Sequence, residues 1–257
     1  MKEVHAADIF ANLCELAPLE CQMEFDNSGF QLGRPDSVVR RVLLSLDITG
    51  EVAEEAREKD VQLIVTHHPL LFHPVRSVTD MDPIQKIALM LIENGIALIS
   101  MHTNLDVARG GVNDALLSLF GLQAHSCLDE DGCGRIGEFP DALDLSAFLE
   151  KCRSLLKTDG LRYYDAGRPV RRLAVMGGSG GDSLDRAASL GCDTYLTADV
   201  KYHQFLLAKE LGINLIDGDH FCTENPIVPA LAERLRSAFP SVAFMISERH
   251  MQTIRFC

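Results

Sequence analysis

The chain has 257 residues, of which 47% are hydrophobic and 24% are charged, and it carries a formal net charge of -13. Such a balance is typical of a globular protein built as one large domain or two small lobes. The acidic excess argues against a protein that coats nucleic acid or an anionic membrane, because either partner needs a basic face. It permits a cleft that binds cations, whereas a polyanionic ligand would need a local basic pocket or a bound metal.

The eight cysteines are scattered along the chain and form no Cys-x-x-Cys pair. This spacing favours reduced thiols, as in cytoplasmic proteins, over a disulfide scaffold or a zinc ribbon. The first residues show no apolar core of a signal peptide, and no apolar run approaches the roughly 18 residues of a membrane-spanning helix. We therefore expect a cytoplasmic protein with no membrane partner.

Short β-branched runs alternate with helical patterns, which predicts βαβ units, mostly parallel sheets and hence the α/β class. We predict strands at 41–46, 61–66, 96–100, 172–176, 194–197, 213–216 and 242–246. We predict helices at 7–16, 51–58, 83–93, 112–120, 145–156, 183–189, 202–210 and 226–238.

Two long stretches of the chain have the same layout. "VLLSLDITGEVAEEAREKDVQLIVTHH" begins at Val42, and "RLAVMGGSGGDSLDRAASLGCDTYLTAD" begins at Arg172. Each contains a strand, a glycine-containing turn, a helix, and a second strand that ends in Thr followed by polar residues. This self-similarity predicts a duplicated α/β unit, with a first lobe over 1–128 and a second lobe over 129–257.

A third strand follows in both copies, in "ENGIALISMHTNLD" and in "ELGINLIDGDHFCTE". In this alignment His102 matches His220, and Asp106 matches Glu224. Any two successive βαβ units align loosely, so the strands alone carry little weight. The shared His-x-x-x-acid pattern after the third strand is a more specific sign of duplication.

Imidazole and carboxylate side chains follow the carboxyl ends of the predicted strands. The clusters are His67 with His68, His102 with Asp106, His220 with Glu224, and Thr197 with Asp199 and Lys201. Ligands of parallel sheets gather at such ends, and the clusters would meet if the two lobes faced each other. Neutral imidazole suits Zn, Fe, Ni and Mn, and carboxylates bridge pairs of such ions. The pattern favours a divalent-metal site between the lobes, although each cluster alone is also compatible with loop hydrogen bonds.

Two glycine-rich segments are less informative. "GGSGG" follows a predicted strand, and its amides would suit an anion, but it lacks the spacing of a dinucleotide or phosphate-binding loop, which favours a turn. "FDNSGFQLG" contains Asp26 and Asn27, which would line a cleft or form a turn. No G-x-S-x-G nucleophile elbow is present, so a Ser-His-Asp hydrolase has no support.

At these residues the chain resembles the NIF-three-like family, whose members are also called GTP cyclohydrolase 1 type 2 homologues. The matching blocks run almost from end to end: "FDNSGFQLG", "THHPLLF", "HTNLDVARGGVNDAL", "GRIGE", "AVMGGSG", "TADVKYH" and "DHFCTE". The resemblance implies a duplicated three-layer α/β/α fold with mostly parallel sheets, a dinuclear metal centre, and a homohexamer arranged as a trimer of dimers.

The resemblance also implies which residues hold two divalent cations, which would be Zn, Fe, Mn or Ni. The implied ligands are His67, His68, Asp106, His220 and Glu224. His102 lies in the same blocks. We expect it either to contact the metal ligands without binding the metal itself or to transfer protons. Ala198 and Asp219 stand where glycine is usual in the family, and the charge of Asp219 would help to hold a metal or would hinder a phosphate.

The activity that the resemblance implies is metal-dependent hydrolysis that opens the imidazole ring of GTP, releasing formate and giving dihydroneopterin triphosphate. The triphosphate would need cations, and the candidates are the metals, Lys201, Arg109 and the amides of the GGSGG segment. Two other functions are compatible with the same residues. One is a non-catalytic metal-binding protein that delivers metal or regulates a partner, and the other is a two-metal phosphoesterase.

Overall fold

The computed structural model describes residues 3–256, which fold into two compact units. The boundaries are 3–108 with 228–251 for unit 1, and 109–227 with 252–256 for unit 2. The lobes expected from the sequence divide after residue 128 instead. The difference arises because the strand Ala243–Ile246 pairs in parallel with the strand Arg41–Ser45, so this late strand belongs to unit 1.

Helices and strands alternate along both units. The helices are α1 Ala6–Leu16, α2 Gly50–Glu58, α3 Pro83–Glu93, α4 Thr103–Val107, α5 Val112–Leu119, α6 Leu145–Leu156, α7 Leu184–Ser189, α8 Tyr202–Leu211, α9 His220–Glu224 and α10 Ile227–Ala238. The strands are β1 Gly29–Leu32, β2 Arg41–Ser45, β3 Leu63–Thr66, β4 Ala97–Ser100, β5 Ser126–Cys127, β6 Arg135–Leu143, β7 Arg162–Tyr164, β8 Val170–Ser179, β9 Thr194–Ala198, β10 Asn214–Asp217 and β11 Ala243–Ile246. Each predicted element is present, with small shifts at its ends. Within the described residues, no helix has both the length and the apolar character that crossing a membrane requires.

Unit 1 has a five-stranded sheet in the order β1-β4-β3-β2-β11. The strands from β11 to β4 run parallel, and β1 is antiparallel to β4 at one edge. All residues of β3 and β4 are buried, as the apolar runs of a parallel sheet predict. Side-chain caps begin the helices that connect them: Thr49 accepts from the amide of Val52, and Asp82 accepts from the amides of Ile84 and Gln85.

Unit 2 has a six-stranded sheet in the order β5-β6-β8-β9-β10-β7. Its centre, β8-β9-β10, is parallel, whereas β5, β6 and β7 are antiparallel to their neighbours. These antiparallel strands were not predicted, because β5 and β7 are short and largely exposed and because β6 lacks a continuous β-branched run. Phe148 of α6 and Tyr195 of β9 are fully buried in the packing around this sheet.

The centres of the two sheets repeat one layout. In each, three adjacent parallel strands are joined by helices, and an antiparallel strand pairs with the third, β1 with β4 and β7 with β10. A helix of 5 residues then follows the third strand, α4 after β4 and α9 after β10. The repeated topology agrees with a duplication, and it confirms the α/β fold class.

Candidate metal centre

His67 and His68 leave the carboxyl end of β3 side by side. The amides of both residues donate to the carbonyl oxygen of Leu46, at 3.1 and 3.0 Å. His67 is buried, and its Nδ1 donates to the carbonyl oxygen of Met101 at 2.8 Å. Because a carbonyl oxygen only accepts, Nδ1 carries the proton, and Nε2 carries the lone pair of the neutral ring.

Carboxylates orient two further imidazoles of unit 1 in the same way. His68 Nδ1 lies 2.7 Å from Asp47 Oδ1, and His102 Nδ1 lies 2.7 Å from Asp26 Oδ1. An ionised carboxylate accepts the Nδ1 proton, so the lone pair of each ring is again on Nε2. Metal-binding histidines are commonly held by such contacts, which fix both the tautomer and the ring orientation.

Asp26 is itself held by several donors. Its fully buried carboxylate accepts from Ser28 Oγ at 2.8 Å, from the Thr103 amide at 3.0 Å and from Thr103 Oγ1 at 2.5 Å. Burial opposes ionisation, but the hydrogen bonds from His102, Thr103 and Ser28 outweigh it and hold the pKa of Asp26 well below its ordinary value. The carboxylate of Asp26 is therefore ionised at neutral pH and accepts the hydrogen bond from His102.

The three imidazoles form one cluster at the strand ends of unit 1. The ring centroids of His67 and His68 lie 4.8 Å apart, and that of His102 lies 5.1 Å from the first and 5.4 Å from the second. One ligand nitrogen of each ring lies within 4.8 Å of the other two, which is close enough for a common metal centre. Asp106, one turn after His102, places Oδ1 3.6 Å from His67 Nε2. Imidazole nitrogens with a carboxylate beside them are donors that suit a first-row divalent cation.

In unit 2, His220 and Glu224 form the corresponding pair at the two ends of α9. His220 Nε2 lies 3.1 Å from Glu224 Oε2, and Glu224 is buried. His220 Nδ1 lies 2.7 Å from Asp199 Oδ2, which repeats the contact between ring and carboxylate seen in unit 1. This pair offers one imidazole nitrogen and one carboxylate to a metal.

Without a metal ion, His220 is protonated at neutral pH. Burial opposes the charge, but Glu224 and then Asp199 stabilise it, and together they raise the pKa of His220 to about 9. A metal ligand must be the neutral ring, so a metal bound here would displace a proton from His220. A divalent cation would then replace the positive charge that the two carboxylates stabilise.

The GGSGG segment packs directly against this pair. Gly178 has a φ of +66°, and a Cβ there would overlap Glu224 Oε1. The amide of Gly178 donates to Thr223 Oγ1 at 3.1 Å, and the amide of Gly180 donates to a second buried threonine hydroxyl at 3.0 Å. These two amides are engaged within the protein. The first three residues of the segment continue β8, where the glycine backbone approaches Glu224, so most of the segment is strand and not the turn that the sequence favoured.

The two positions where glycine is usual in the family have specific structural roles. Asp219 has a φ of +71°, a region that favours glycine, and its carboxylate caps α9 by accepting from the Cys222 amide at 3.1 Å. The same carboxylate accepts from Gln252 Nε2. Ala198 is buried at the end of β9, where it pairs with Ser179.

The residues expected to bind a triphosphate are not gathered in unit 2. Arg109 lines one cavity, of about 280 Å³, together with Asp114 and Arg135. His220 lines a different cavity, of about 230 Å³. Lys201 is exposed just before α8.

Comparison with known proteins agrees with this architecture. Residues 4–252 match the profile of Duf34/NIF3 (NGG1p interacting factor 3). The chain belongs to the Duf34/NIF3 family. The paired histidines after β3 and the His-x-x-x-acid patterns of α4 and α9 thus lie within the Duf34/NIF3 region of the chain.

Individual Duf34/NIF3 comparisons cover almost the whole chain. A Clostridium perfringens protein named GTP cyclohydrolase 1 type 2 homolog is 33% identical, over 97% of this chain and 98% of that protein. A Helicobacter pylori protein named GTP cyclohydrolase 1 type 2 is 32% identical, over 90% of this chain and 91% of that protein. The crystal structure of a Staphylococcus aureus hypothetical protein is 28% identical, with a TM-score of 0.93 and 100% of both chains covered.

Proposed function

We propose that this Duf34/NIF3 protein is a metal-dependent hydrolase that binds two divalent cations per subunit and opens the guanine imidazole ring of GTP, releasing formate and dihydroneopterin triphosphate. The names of the two relatives above support the choice of reaction. The observation that carries the metal site is the contact of Nδ1 with a carbonyl or carboxylate oxygen in His67, His68 and His220, which puts the lone pair of each neutral ring on Nε2. A metal centre depends on such fixed ligands.

The proposed ligands come from both units. They are His67, His68 and Asp106 of unit 1, and His220 and Glu224 of unit 2. Imidazole and carboxylate donors favour Zn, Fe, Mn or Ni as the two cations. When bound, these cations supply the Lewis acidity that hydrolysis needs at neutral pH.

His102 has a separate role in the proposal. Its ring belongs to the imidazole cluster and is held by an ionised Asp26. We assign it to proton transfer during ring opening, a role that contributes roughly 100- to 10,000-fold to a rate. His102→Ala should therefore lower kcat to that extent and leave the metal content unchanged. Loss of metal in this variant would make His102 a ligand instead.

Elemental analysis tests the metal centre. The purified protein should contain about two metal atoms per subunit, as a two-metal site requires. His67→Ala in unit 1 and Glu224→Gln in unit 2 should each lower that content. His203→Ala is the matched control, because His203 is an exposed histidine of α8. Full metal content in Glu224→Gln would remove Glu224 from the ligand set.

Formate release tests the reaction. Metal-loaded protein should release formate from GTP and form dihydroneopterin triphosphate, and His68→Ala should abolish both. The His203→Ala variant should react as wild type. If the fully loaded protein releases no formate, the hydrolase assignment fails while the metal centre stands.

A non-catalytic metal-delivery or regulatory protein is the second candidate. The net charge of -13 and the engaged amides of the GGSGG segment favour it, because both make a triphosphate harder to bind. Transfer of metal to an apo-protein acceptor, with no turnover of any nucleotide, would support this candidate. A two-metal phosphoesterase would instead cleave members of a phosphodiester panel assayed with Mn, Zn and Fe.

We also propose that the protein is a cytoplasmic homohexamer, a trimer of dimers. Its support is the family resemblance of the whole chain, which the match over residues 4–252 strengthens. Native mass spectrometry of the purified protein should give the mass of six chains. A stable monomer or dimer would contradict this assembly.

A further inference from the structure

Two phenylalanines, the exposed Phe25 and the half-buried Phe72, lie beside the imidazole cluster of unit 1. Phe25 is 68% exposed, and its ring lies 6.3 Å from the ring of Phe72, at an interplanar angle of 63°. The ring of Phe72 lies 6.0 Å from that of His102, edge to face. We call Phe25 and Phe72 the aromatic pair. An aromatic ring this exposed contributes little to the core, so folding alone does not explain it.

Hydrogen bonds between two loops hold the aromatic pair in place. Asn27 Nδ2 donates to the carbonyl oxygen of Leu71 at 2.5 Å, and the amide of Leu71 donates to Gln31 Oε1 at 2.9 Å. Phe25 also directly precedes Asp26, the carboxylate that orients His102. These hydrogen bonds join the two chain segments that carry the aromatic pair, and such preorganisation of the backbone lowers the entropic cost of binding.

We propose that the aromatic pair binds the planar base of a purine nucleotide, with Phe25 as the stacking face. The proposal rests on the function proposed above and names how that site recognises its substrate. Stacking between a base and an aromatic ring involves no charge, so it does not oppose the net charge of -13. Recognition through the phosphates would have to overcome that charge. The contact of Phe72 with His102 places a stacked base next to the imidazole cluster.

A single-tryptophan variant tests this binding without any turnover. The chain contains no Trp, so Phe25→Trp introduces one fluorophore into the aromatic pair. Guanosine and GTP should quench its fluorescence to saturation, whereas ribose 5-phosphate and tripolyphosphate, which lack a base, should not. The control is Tyr202→Trp, because Tyr202 is 78% exposed on α8 of unit 2. Its fluorescence should show no saturable quenching.

Titration calorimetry with Phe25→Ala measures the size of the effect. The dissociation constant for guanosine should rise roughly 5- to 150-fold, the range expected for losing one stack between a base and an aromatic ring. Phe25→Tyr should retain the wild-type affinity, and both variants should keep the wild-type metal content.

These experiments distinguish failure of the proposed GTP hydrolysis from failure of the proposed base binding by the aromatic pair. Saturable guanosine binding that depends on Phe25, without formate release, sustains the aromatic pair and refutes the reaction. Formate release with an unchanged guanosine dissociation constant and unchanged KM in Phe25→Ala refutes the aromatic pair alone. A Phe25→Ala variant that changes the subunit assembly in native mass spectrometry, and not the guanosine affinity, would show a protein contact and overturn the proposal.

Discussion

His102 and Asp26 are 76 residues apart in the chain, yet His102 Nδ1 donates to Asp26 Oδ1 at 2.7 Å. The other carboxylate oxygen accepts from the hydroxyls of Ser28 and Thr103. Both oxygens of Asp26 thus face donors inside a buried pocket. An asparagine at position 26 would replace one of these accepting oxygens by an NH₂ group, which would then face side chains that also donate.

We expect Asp26→Asn to lower the free energy of unfolding by about 1–3 kcal/mol, the cost of leaving buried polar groups unsatisfied. Urea denaturation, monitored by circular dichroism, measures this loss of unfolding free energy. Asp82→Asn is the control, because Asp82 accepts only from the amides of Ile84 and Gln85 at the start of α3 and Asn caps a helix equally well. Equal losses in the two variants would contradict the special role of Asp26.

Glu55 is a buried carboxylate of α2 that forms hydrogen bonds with the chain segment after β11. It accepts from the hydroxyl of Ser247, from the amides of Glu248 and Arg249 at 3.1 and 3.2 Å, and from Lys59 Nζ at 2.6 Å. Burial alone would raise its pKa. The contacts with Lys59, Ser247 and the two amides outweigh burial and lower the pKa of Glu55 to about 2.

The lowered pKa predicts a stability that depends on pH. Its contribution is present above the ordinary value of 4.5 and is lost as the pH falls towards about 2. Glu55→Gln should therefore lower the free energy of unfolding at pH 7 by on the order of 3 kcal/mol. The difference from wild type should shrink between pH 5 and pH 2.

Urea denaturation at pH 7, 5 and 3 measures the effect of Glu55→Gln. The control is Glu54→Gln, since Glu54 lies on the same helix but pairs with Arg57 at the surface, where ion pairs contribute little. A difference between Glu55→Gln and wild type that stays constant from pH 7 to pH 3 would refute the linkage.

The histidines of the site were predictable from local patterns, whereas their orienting partners were not. His67 follows an apolar run, and such runs identify strand ends in parallel sheets. Pairing of His102 with Asp26 and of His68 with Asp47 spans 76 and 21 residues, so it depends on how loops pack. Asp47 nevertheless follows β2 as His68 follows β3, and the rule that identified the histidines applies to it.

The parallel strands were also predictable, and the antiparallel ones were not. The strands β2, β3, β9 and β10 are apolar runs whose burial the sequence pattern reflects. By contrast, β6 has exposed residues and an irregular register with β8, so its pairing is set by tertiary contacts. The place of β11 was not predictable for a related reason, because nothing local to β11 indicates that its partner is β2.

Asp47 should affect metal affinity without touching the metal. It accepts from His68 Nδ1 at 2.7 Å and so fixes the ring that we assign as a ligand. We expect Asp47→Ala to weaken zinc affinity by roughly 10- to 100-fold, the usual effect of removing such a partner. Competition with a chromophoric chelator measures the affinity. Asp36→Ala, at an exposed aspartate of the same unit, should leave it unchanged; unaltered affinity in Asp47→Ala would argue against His68 as a ligand.

Gly178 and Gly167 have nearly the same backbone conformation but different surroundings. Their φ values are +66° and +71°, both in the region that favours glycine. A Cβ at Gly178 would overlap Glu224 Oε1 and lie 3.3 Å from His220 Cε1, whereas nothing lies within 4 Å of a Cβ at Gly167. Comparing alanine at the two positions therefore separates backbone strain from collision with the proposed ligands.

Both substitutions should cost about 1–2 kcal/mol of folding free energy through the backbone alone. Gly178→Ala should cost about 1–3 kcal/mol more, because Glu224 must move to admit the methyl group. Its metal affinity, measured by chelator competition, should also fall, while Gly167→Ala keeps the wild-type affinity. Wild-type metal affinity in Gly178→Ala would mean that the position of Glu224 does not matter to the metal, which would remove Glu224 from the ligand set.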